Sequence, residues 1–433
     1  MGKQSKDIDL VVDLPNGGIE IAEFLTKKDG SYTDGNPVTY PRYATAKFNL
    51  RNSEFSDIDL EAVMTRGEVY SSDSRKPDVE FTSLSKDAER RDLTINTLYY
   101  DISNKKIIDP TGHGIKDIKS KVLRTPLDPN TTFTDDPLRM MRLARFSCKY
   151  GWEIPSDMLK ALHDNAQQLE KISKERVQDE LNKIIMSDYP DKGIKLLVDT
   201  QLMKYIIPEL YGIVGMTQNK YHEWDTFGHT LNVIKNSPKK LEVRMSALLH
   251  DIGKSKTKTD IDGKIQFLGH EEESGDMTVG ILNRLKYPTT FVNHVKILVR
   301  QHMRTKSFGN DVKAKDSALR RLMHDMGENL EDLLDLIHAD NTSHGSKGWQ
   351  YNLDNQVEII KDRLKKLGDF SKKTDIPLNG NQIMKWLDLK PGKDIGIILN
   401  KFTDIFLEDP DVINQMSDEE IKKLVIDIYK TIK

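Results

Sequence analysis

Two short runs of the sequence combine guanidinium, carboxylate and amide side chains in a way that suits phosphate and ribose. The residues of the first run are Arg90, Arg91, Asp92 and Asn96, and those of the second are Asp136, Arg139 and Arg142. An arginine fork donates two parallel hydrogen bonds to phosphate oxygens, and a neighbouring Asp or Asn can hold a ribose hydroxyl. Either run alone would also fit a salt-bridged helix start, but the two together predict a nucleotide-binding site.

Carboxylates near the start of the chain alternate as metal ligands on β-strands do. Asp7 and Asp9 flank a single isoleucine, so in a strand both side chains point to one face. A second predicted strand offers Asp57, Asp59 and Glu61 on one face. Such a set can hold two Mg²⁺ ions that stabilise the attacking and leaving oxygens of a phosphoryl transfer. Because isolated Asp-x-Asp pairs are common on surfaces, this prediction depends on its neighbours.

A second set of ligands lies in the C-terminal half of the chain, where histidines and aspartates recur in order. The set comprises His229, His250, Asp251 and Asp340. Neutral imidazoles with carboxylates suit Mn²⁺, Ni²⁺, Fe or Mg²⁺, and such a metal can activate water at neutral pH. A lone histidine on a helix is usually structural, but the ordered set predicts a second divalent-metal site.

Length and composition limit the class of protein. A chain of 433 residues is too long for a single core, so roughly two to four domains are expected. There is no apolar run long enough to span a bilayer and no leader segment, which predicts a cytoplasmic protein with no membrane contact. The single cysteine, Cys148, excludes an internal disulfide framework. With a net charge of −3, any RNA contact must come from local basic patches.

Hydrophobic patterning predicts an α/β N-terminal region followed by helices. Short β-branched or alternating segments predict strands at 8–12, 46–50, 58–64 and 106–108, with a turn at Gly17-Gly18. From Asp135 onward the apolar residues, Phe146 among them, recur with helical spacing for one buried face. The expected domains are an α/β catalytic domain over 1–126, a helical neck or nucleotide-recognition region over 127–215, a metal-binding domain over 216–345 and a helical tail over 346–433.

The two nucleotide-binding runs together resemble the recognition motifs of the tRNA nucleotidyltransferase and poly(A) polymerase family. The stretch 66–70 looks like the family's Arg-x-Glu-x-Tyr element, and its register implies that Glu61 is the third metal position. Segments 108–112 and 122–124 are similar to the end of the family's catalytic domain. The resemblance implies a polymerase-β-like palm for the α/β domain.

In the family, the second run serves as a protein template that reads the Watson–Crick edges of CTP and ATP. The resemblance implies this role for Asp136 and Arg139, with Asp135 in place of the usual Glu. A carboxylate accepts from the exocyclic amine that cytosine and adenine share, and an arginine donates to a ring nitrogen or carbonyl. This chemistry favours C and A over G and U.

The histidine and aspartate set resembles the His…His-Asp…Asp metal site of HD-family phosphohydrolases. His270 and His302 stand where that family can hold a second metal or the phosphate. Three further segments are similar to parts of bacterial CCA-adding enzymes that carry an HD domain: 221–225, 376–383 and 387–392. The order of these motifs implies a transferase, neck helices, an HD domain and a tail.

The resemblance implies an enzyme that adds CCA to tRNA 3′ ends from CTP and ATP, with Mg²⁺ at the transferase site. Mn²⁺, Ni²⁺ or Mg²⁺ would occupy the HD site, and tRNA and nucleoside triphosphates would be the partners. One alternative is a poly(A) polymerase or an enzyme that adds only part of CCA; the segment 66–77, which the family uses for A addition, argues against CC addition alone.

A second alternative is an HD phosphodiesterase or phosphatase whose inactive N-terminal half docks RNA. In the family a Gly-Gly turn that cradles the triphosphate lies upstream of the first metal-binding Asp. Only six residues precede Asp7 in this sequence, too few to include the turn, and this supports the second alternative. Because the other motifs are intact, we expect the counterpart of the turn to lie upstream of Met1.

Overall fold

The computed structural model describes residues 7–27, 32–50, 59–69, 78–217, 223–261, 264–345, 353–368 and 376–432. The chain divides into two compact units. The first comprises Met1–Tyr189 and Lys195–Ile206, and the second comprises Pro190–Ile194 and Ile207–Lys433. The finer division into four domains stays a prediction. Residues 57–58, 70–77 and 221–222 of the motifs discussed above lie outside the described residues.

The first unit begins with a four-stranded sheet in the order β1-β4-β3-β2. Its elements are β1 (Asp7–Val12), α1 (Gly17–Lys27), β2 (Val38–Tyr40), β3 (Thr45–Phe48) and β4 (Asp59–Met64). β1 and β4 are parallel, and the other pairs are antiparallel. Leu60 and Ala62 of β4 are buried against Ala22, Ala46 and Phe48, whereas Asp59 and Glu61 alternate with them and are more exposed. The period of two therefore leaves the carboxylates on the face away from this core.

The prediction of a turn at Gly17-Gly18 is wrong, because both glycines are the first residues of α1. A Cβ added to Gly18 would lie 2.4 Å from the carbonyl oxygens of both Ala44 and Ala62. Only glycine allows the backbone of α1 to approach the sheet this closely.

The rest of the first unit consists of two hairpins and a series of helices. These elements are β5 (Arg66–Val69), β6 (Asp78–Phe81), α2 (Leu84–Glu89), β7 (Tyr99–Asp101), β8 (Lys106–Ile108), α3 (Gly114–Ser120), α4 (Pro129–Asp135), α5 (Leu138–Tyr150), α6 (Ser156–Asn165), α7 (Lys174–Ile185) and α8 (Pro190–Asp199), which enters the second unit. Helix α5 buries Met140, Leu143 and Ala144 as its spacing predicts. Phe146, predicted on the same face, is only half-buried, which corrects that part of the prediction.

The second unit is almost entirely helical. Its elements are α9 (Thr226–Asn236), α10 (Leu241–Leu249), α11 (Lys254–Thr257), β9 (Thr259–Ile261), β10 (Lys264–Gln266), α12 (His270–Arg284), α13 (Thr289–Gln301), α14 (Asp316–Met326), α15 (Leu330–Asn341), α16 (Gln356–Leu367), α17 (Gly380–Leu387), α18 (Lys393–Glu408), α19 (Pro410–Asn414) and α20 (Asp418–Lys430). The predicted fold class, an α/β region followed by helices, is confirmed. Among the described residues, no helix combines the length and the apolar character needed to cross a bilayer.

Candidate functional site

A cavity of about 810 Å³ in the first unit brings both predicted nucleotide-binding runs together. Its wall consists of Asp9, Arg66, Arg90, Arg91, Asp92, Asn96, Asp136, Leu138, Arg139, Arg142, Arg145, Phe146 and Arg176. Arginines outnumber aspartates seven to three in this wall. A site so rich in guanidiniums suits a polyanion such as a triphosphate. We call it the arginine cavity.

The predicted metal-binding carboxylates lie on one face of the sheet, beside this cavity. The parallel register pairs Asp9 with Glu61 and the backbone of Asp7 with that of Asp59. Asp9, Asp59 and Glu61 line a second cavity of about 290 Å³, and Asp9 belongs to the walls of both. The side chain of Asp7 lies outside the described part of the structure. A one-faced group of carboxylate oxygens fits Mg²⁺, which prefers hard oxygen ligands.

Asp87 was not predicted, yet it organises the first arginine pair. Its buried carboxylate accepts hydrogen bonds from Arg90 Nη2 at 2.7 Å, from Arg91 Nη2 at 3.1 Å and from the Tyr99 hydroxyl at 2.6 Å. Burial opposes its ionisation, but the charge of Arg90 and the Tyr99 hydrogen bond hold the pKa of Asp87 below its usual value. The spacings i,i+3 and i,i+4 from Asp87 to the arginines were the signal that could have identified it.

Asp92 orients two other predicted residues. Its Oδ1 accepts a hydrogen bond from Asn96 Nδ2 at 2.9 Å, and its Oδ2 accepts one from Arg142 Nε at 2.7 Å. Fifty residues separate Asp92 from Arg142, so this ion pair links the two sequence runs. Both oxygens of Asp92 thus accept from protein donors. The carboxylate therefore holds Asn96 and Arg142 in place in the cavity wall.

The predicted base-reading pair lies at the start of α5. Asp136 Oδ1 accepts from the backbone N–H of Leu138 at 3.1 Å, and its Oδ2 lies 3.2 Å from Nη2 of Arg176. Arg139 is buried, and its Nη1 donates to the carbonyl oxygen of Thr132 at 3.3 Å. These contacts fix both side chains in the cavity wall. Arg176, from α7, had no signal near the second run in the sequence.

In the second unit, all six predicted metal ligands come together and are buried. They form two groups, one of His229, His250 and Asp340 and the other of Asp251, His270 and His302. His229 Nε2 lies 2.9 Å from Asp340 Oδ1. Asp251 lies between the groups, with Oδ2 at 3.2 Å from His250 Nε2 and Oδ1 at 3.3 Å from His270 Nε2. Each oxygen of Asp251 therefore faces one group.

Backbone carbonyls fix the direction of all four imidazoles. The Nδ1 atoms of His229, His250, His270 and His302 lie 3.2, 2.8, 2.8 and 2.6 Å from the carbonyl oxygens of Ser343, Ala247, Phe267 and Val299. Because a carbonyl only accepts, each Nδ1 donates to it, and each Nε2 is turned toward the cluster. This is the orientation that metal-ligating histidines show in proteins.

The cluster has the polarity that a cation requires. His250 Nε2 is buried and lies 3.2 Å from the carboxylate of Asp251. Burial lowers the pKa of His250, but the carboxylate of Asp251 outweighs it and raises that pKa. Burial and the nearby His250 and His270 hold the pKa of His302 well below its usual value, so its imidazole is neutral. Carboxylates together with imidazole Nε2 atoms form a donor set that suits a divalent metal ion.

Two lysines accompany the cluster. Lys254 Nζ lies 2.6 Å from Asp251 Oδ2, and Lys306 Nζ lies 3.2 Å from Asp340 Oδ2. Lys254 is buried, whereas the side chain of Lys306 is 31% exposed and reaches the cluster from solvent. Lys306 and His344 were not predicted, and the ring of His344 stacks on that of His229 with centroids 5.0 Å apart. Neither belongs to the ordered ligand motif, so only the fold brings them to the site.

Comparison with known protein families matches three parts of the chain. Residues 1–124 match the poly A polymerase head domain, residues 151–213 match a region described as the probable RNA and SrmB-binding site of polymerase A, and residues 226–371 match the HD domain. The head domain includes the predicted carboxylates and the first arginine run. The HD match includes all six ligands of the second unit.

Individual relatives agree with these matches. The A-adding tRNA nucleotidyltransferase of Deinococcus radiodurans is 31% identical over 330 residues, which is 73% of this chain and 74% of that protein. The mitochondrial CCA tRNA nucleotidyltransferase of Candida glabrata is 34% identical over 225 residues, 48% of this chain but only 41% of its own length. The chain thus spans less than half of that relative.

A solved structure shares the fold over almost the whole chain. The Bacillus stearothermophilus CCA-adding enzyme in complex with CTP superposes with a TM-score of 0.65, covering 99% of this chain and 90% of that one at 18% identity. The family matches, the Deinococcus relative and the shared fold agree with the resemblance in the motifs. The chain belongs to the tRNA nucleotidyltransferase and poly(A) polymerase family and carries an HD domain.

Proposed function

We propose that this chain is a tRNA nucleotidyltransferase that adds C and A, from CTP and ATP, to tRNA 3′ ends without a nucleic-acid template. The observation that carries the proposal is the arginine cavity, in which Asp9 lies with arginines from both sequence runs. The names of relatives such as the CCA and A-adding enzymes supply the substrate class.

In this proposal, Asp7, Asp9 and Glu61 hold Mg²⁺. When bound, Mg²⁺ lowers the pKa of the attacking 3′-hydroxyl and stabilises the departing pyrophosphate. Glu61 forms an exposed ion pair with Lys47 at 3.1 Å, which indicates that its carboxylate attracts a cation. The new bond joins O3′ of the RNA to the α-phosphorus as the bond from that phosphorus to pyrophosphate breaks.

Arg90 and Arg91 bind the triphosphate, and Asn96 and Arg142 bind the sugar and phosphate nearby. Asp87 holds the two guanidiniums before the nucleotide arrives, which reduces the side-chain entropy lost on binding. Asp92 does the same for Asn96 and Arg142. These two carboxylates therefore act as positioning residues.

Replacing Asp87 with Asn is expected to raise KM for CTP and ATP by about tenfold, because about 1.4 kcal/mol of arginine ordering is lost. The measurement is steady-state nucleotide addition over a range of nucleotide concentrations. Glu89→Gln, on the same helix and in an ion pair with the exposed Lys86, serves as the control and should leave KM unchanged. A lower melting temperature with an unaltered KM would mean that Asp87 has only a structural role.

Asp136 and Arg139 select the base. Asp136→Asn keeps a side-chain oxygen for the N–H of Leu138 but removes the charge, so discrimination against UTP should fall by about 1–3 kcal/mol, the usual value of a base-edge contact. Competition between CTP and UTP for one RNA end measures this ratio. The adjacent, exposed Asp135 lies outside the cavity wall, so Asp135→Asn is the matched control. Equal discrimination in both variants would argue against base reading by Asp136.

One relative favours a narrower activity, since the Deinococcus match, which covers 73% of this chain, is to an A-adding enzyme. Three RNA substrates separate the possibilities: tRNA lacking CCA, tRNA ending in C and tRNA ending in CC. Full CCA addition extends all three when CTP and ATP are present. An A-adding enzyme extends only the substrate that ends in CC.

We further propose that the HD domain is a metal-dependent phosphohydrolase that acts on phosphoesters such as a 2′,3′-cyclic phosphate at an RNA end. The supporting observation is the sharing of Asp251 between the two ligand groups. A divalent metal bound there supplies Lewis-acid activation of water and of the phosphoester. Lys254 and Lys306 lie where they can neutralise phosphate charge.

A further inference from the structure

Three aromatic side chains lie in a row at the end of α5 and just beyond it, and we call them the aromatic row: Phe146, Tyr150 and Trp152. The rings of Phe146 and Tyr150 are stacked, with centroids 5.9 Å apart and planes inclined by 19°. Trp152 follows, with its ring centroid 5.1 Å from that of Tyr150. Phe146 belongs to the wall of the arginine cavity, and Tyr150 is 42% exposed. The row therefore leads from the cavity to the protein surface.

Cations lie on the rings of this row. The guanidinium of Arg145 lies 4.6 Å from the centroid of Phe146, and the ammonium of Lys149 lies 5.2 Å from that of Tyr150. Arg142 precedes Phe146 by one helical turn and also lines the cavity. A cluster built only to stabilise the fold would place its rings in the core, but the core face of α5 is formed by other residues, such as Leu143 and Ala144.

Alternating rings and cations are the features with which proteins bind single-stranded nucleic acid. Unpaired bases stack on aromatic faces, and the backbone phosphates pair with nearby Lys and Arg. The position of the row beside the cavity supports RNA as its ligand. An RNA end whose 3′-hydroxyl reacts in the cavity must extend from it across an adjoining surface. We propose that the aromatic row binds the unpaired 3′-terminal nucleotides of the RNA substrate by stacking on Tyr150. This inference rests on the proposed transferase function and identifies the surface that holds its primer.

The test measures binding of a 5′-fluorescent, six-nucleotide single-stranded RNA to the full-length chain by anisotropy. Tyr150→Ala is expected to weaken binding by at least about fivefold, the lower bound for one base–aromatic stack. Tyr150→Phe keeps the ring and should bind as the unsubstituted chain does. Tyr100→Ala removes a tyrosine that is 61% exposed in the same unit but absent from the cavity wall, and it should also have no effect.

A second variant distinguishes the loss of the aromatic ring from the misfolding of the protein. Tyr150→Leu keeps apolar volume for packing but removes the ring, so it should lose RNA affinity as Tyr150→Ala does, with an unchanged melting temperature. In both variants KM for the RNA end should rise, while KM for CTP and ATP stays the same.

Equal RNA affinity in Tyr150→Leu and the unsubstituted chain overturns the proposal. If the unsubstituted chain binds the RNA but adds no nucleotide to any RNA end, the transferase function fails instead. These results distinguish failure of the docking surface from failure of the proposed function.

Discussion

Asp9→Asn is expected to abolish nucleotide addition, with a fall in rate of about three orders of magnitude or more. Among the side chains that the structure describes, Asp9 is the one that lines both the arginine cavity and the cavity beside the carboxylate face of the sheet. Removing its charge weakens the proposed Mg²⁺ site, and a bound metal ion would supply several kcal/mol of transition-state stabilisation. The rate is measured by extension of tRNA lacking its 3′ CCA.

The control is Asp101→Asn, which alters a partly exposed aspartate in the same unit that accepts local hydrogen bonds from Asn104. Its rate should equal that of the unsubstituted chain. Normal extension by a folded Asp9→Asn protein would contradict the assignment of the metal site to this face of the sheet.

Asp251→Asn is expected to have the second largest effect, on the HD domain. Because each oxygen of Asp251 faces one ligand group, the substitution weakens both groups at once. Bound divalent metal should fall well below the content of the unsubstituted chain, and hydrolysis of a 2′,3′-cyclic phosphate should fall by about a thousandfold. Elemental analysis of the purified protein gives the metal content, and phosphate release gives the rate.

Nucleotide addition by Asp251→Asn should stay near normal, since Asp251 and Asp9 belong to different units. Asp276→Asn, at an exposed position on α12, is the matched control and should alter neither property. Because Asp251→Asn also leaves the buried Lys254 without its ion pair, His302→Gln is a second test confined to one ligand group. Full metal content and full hydrolysis in both variants would show that this cluster is not a catalytic metal site.

Local patterns in the sequence predicted much of the fold. The tail predicted to be helical over 346–433 contains α16 and α17, and the strand predicted at 8–12 is β1. The register between the parallel strands β1 and β4 was not predictable from the sequence. The 46 residues between Val12 and Asp59 permit many alignments of the two strands. That register is what brings Asp9 beside Glu61.

The candidate sites divide in the same way. Residues that belong to a compact motif, such as Arg90 and His250, could be identified from type and spacing. Asp87 was missed because Lys-Asp-Ala-Glu on a short helix resembles a solvated surface, whereas here the carboxylate is buried beneath two arginines. Lys306 was missed because its partner, Asp340, is distant in sequence and only the packing of the helical domain brings them together.

Incorporation of nucleotide into a defined RNA end tests the central claim most directly. Purified full-length chain is given Mg²⁺, CTP and ATP with tRNA that lacks CCA, and the 3′ ends of the products are sequenced. If the proposed transferase function is correct, the products end in CCA, UTP or GTP alone is not incorporated, and the Asp9→Asn variant gives no product. Failure of the folded protein to extend any of the three tRNA ends, with cyclic-phosphate hydrolysis intact, would contradict it and would support an HD hydrolase whose N-terminal half only docks RNA.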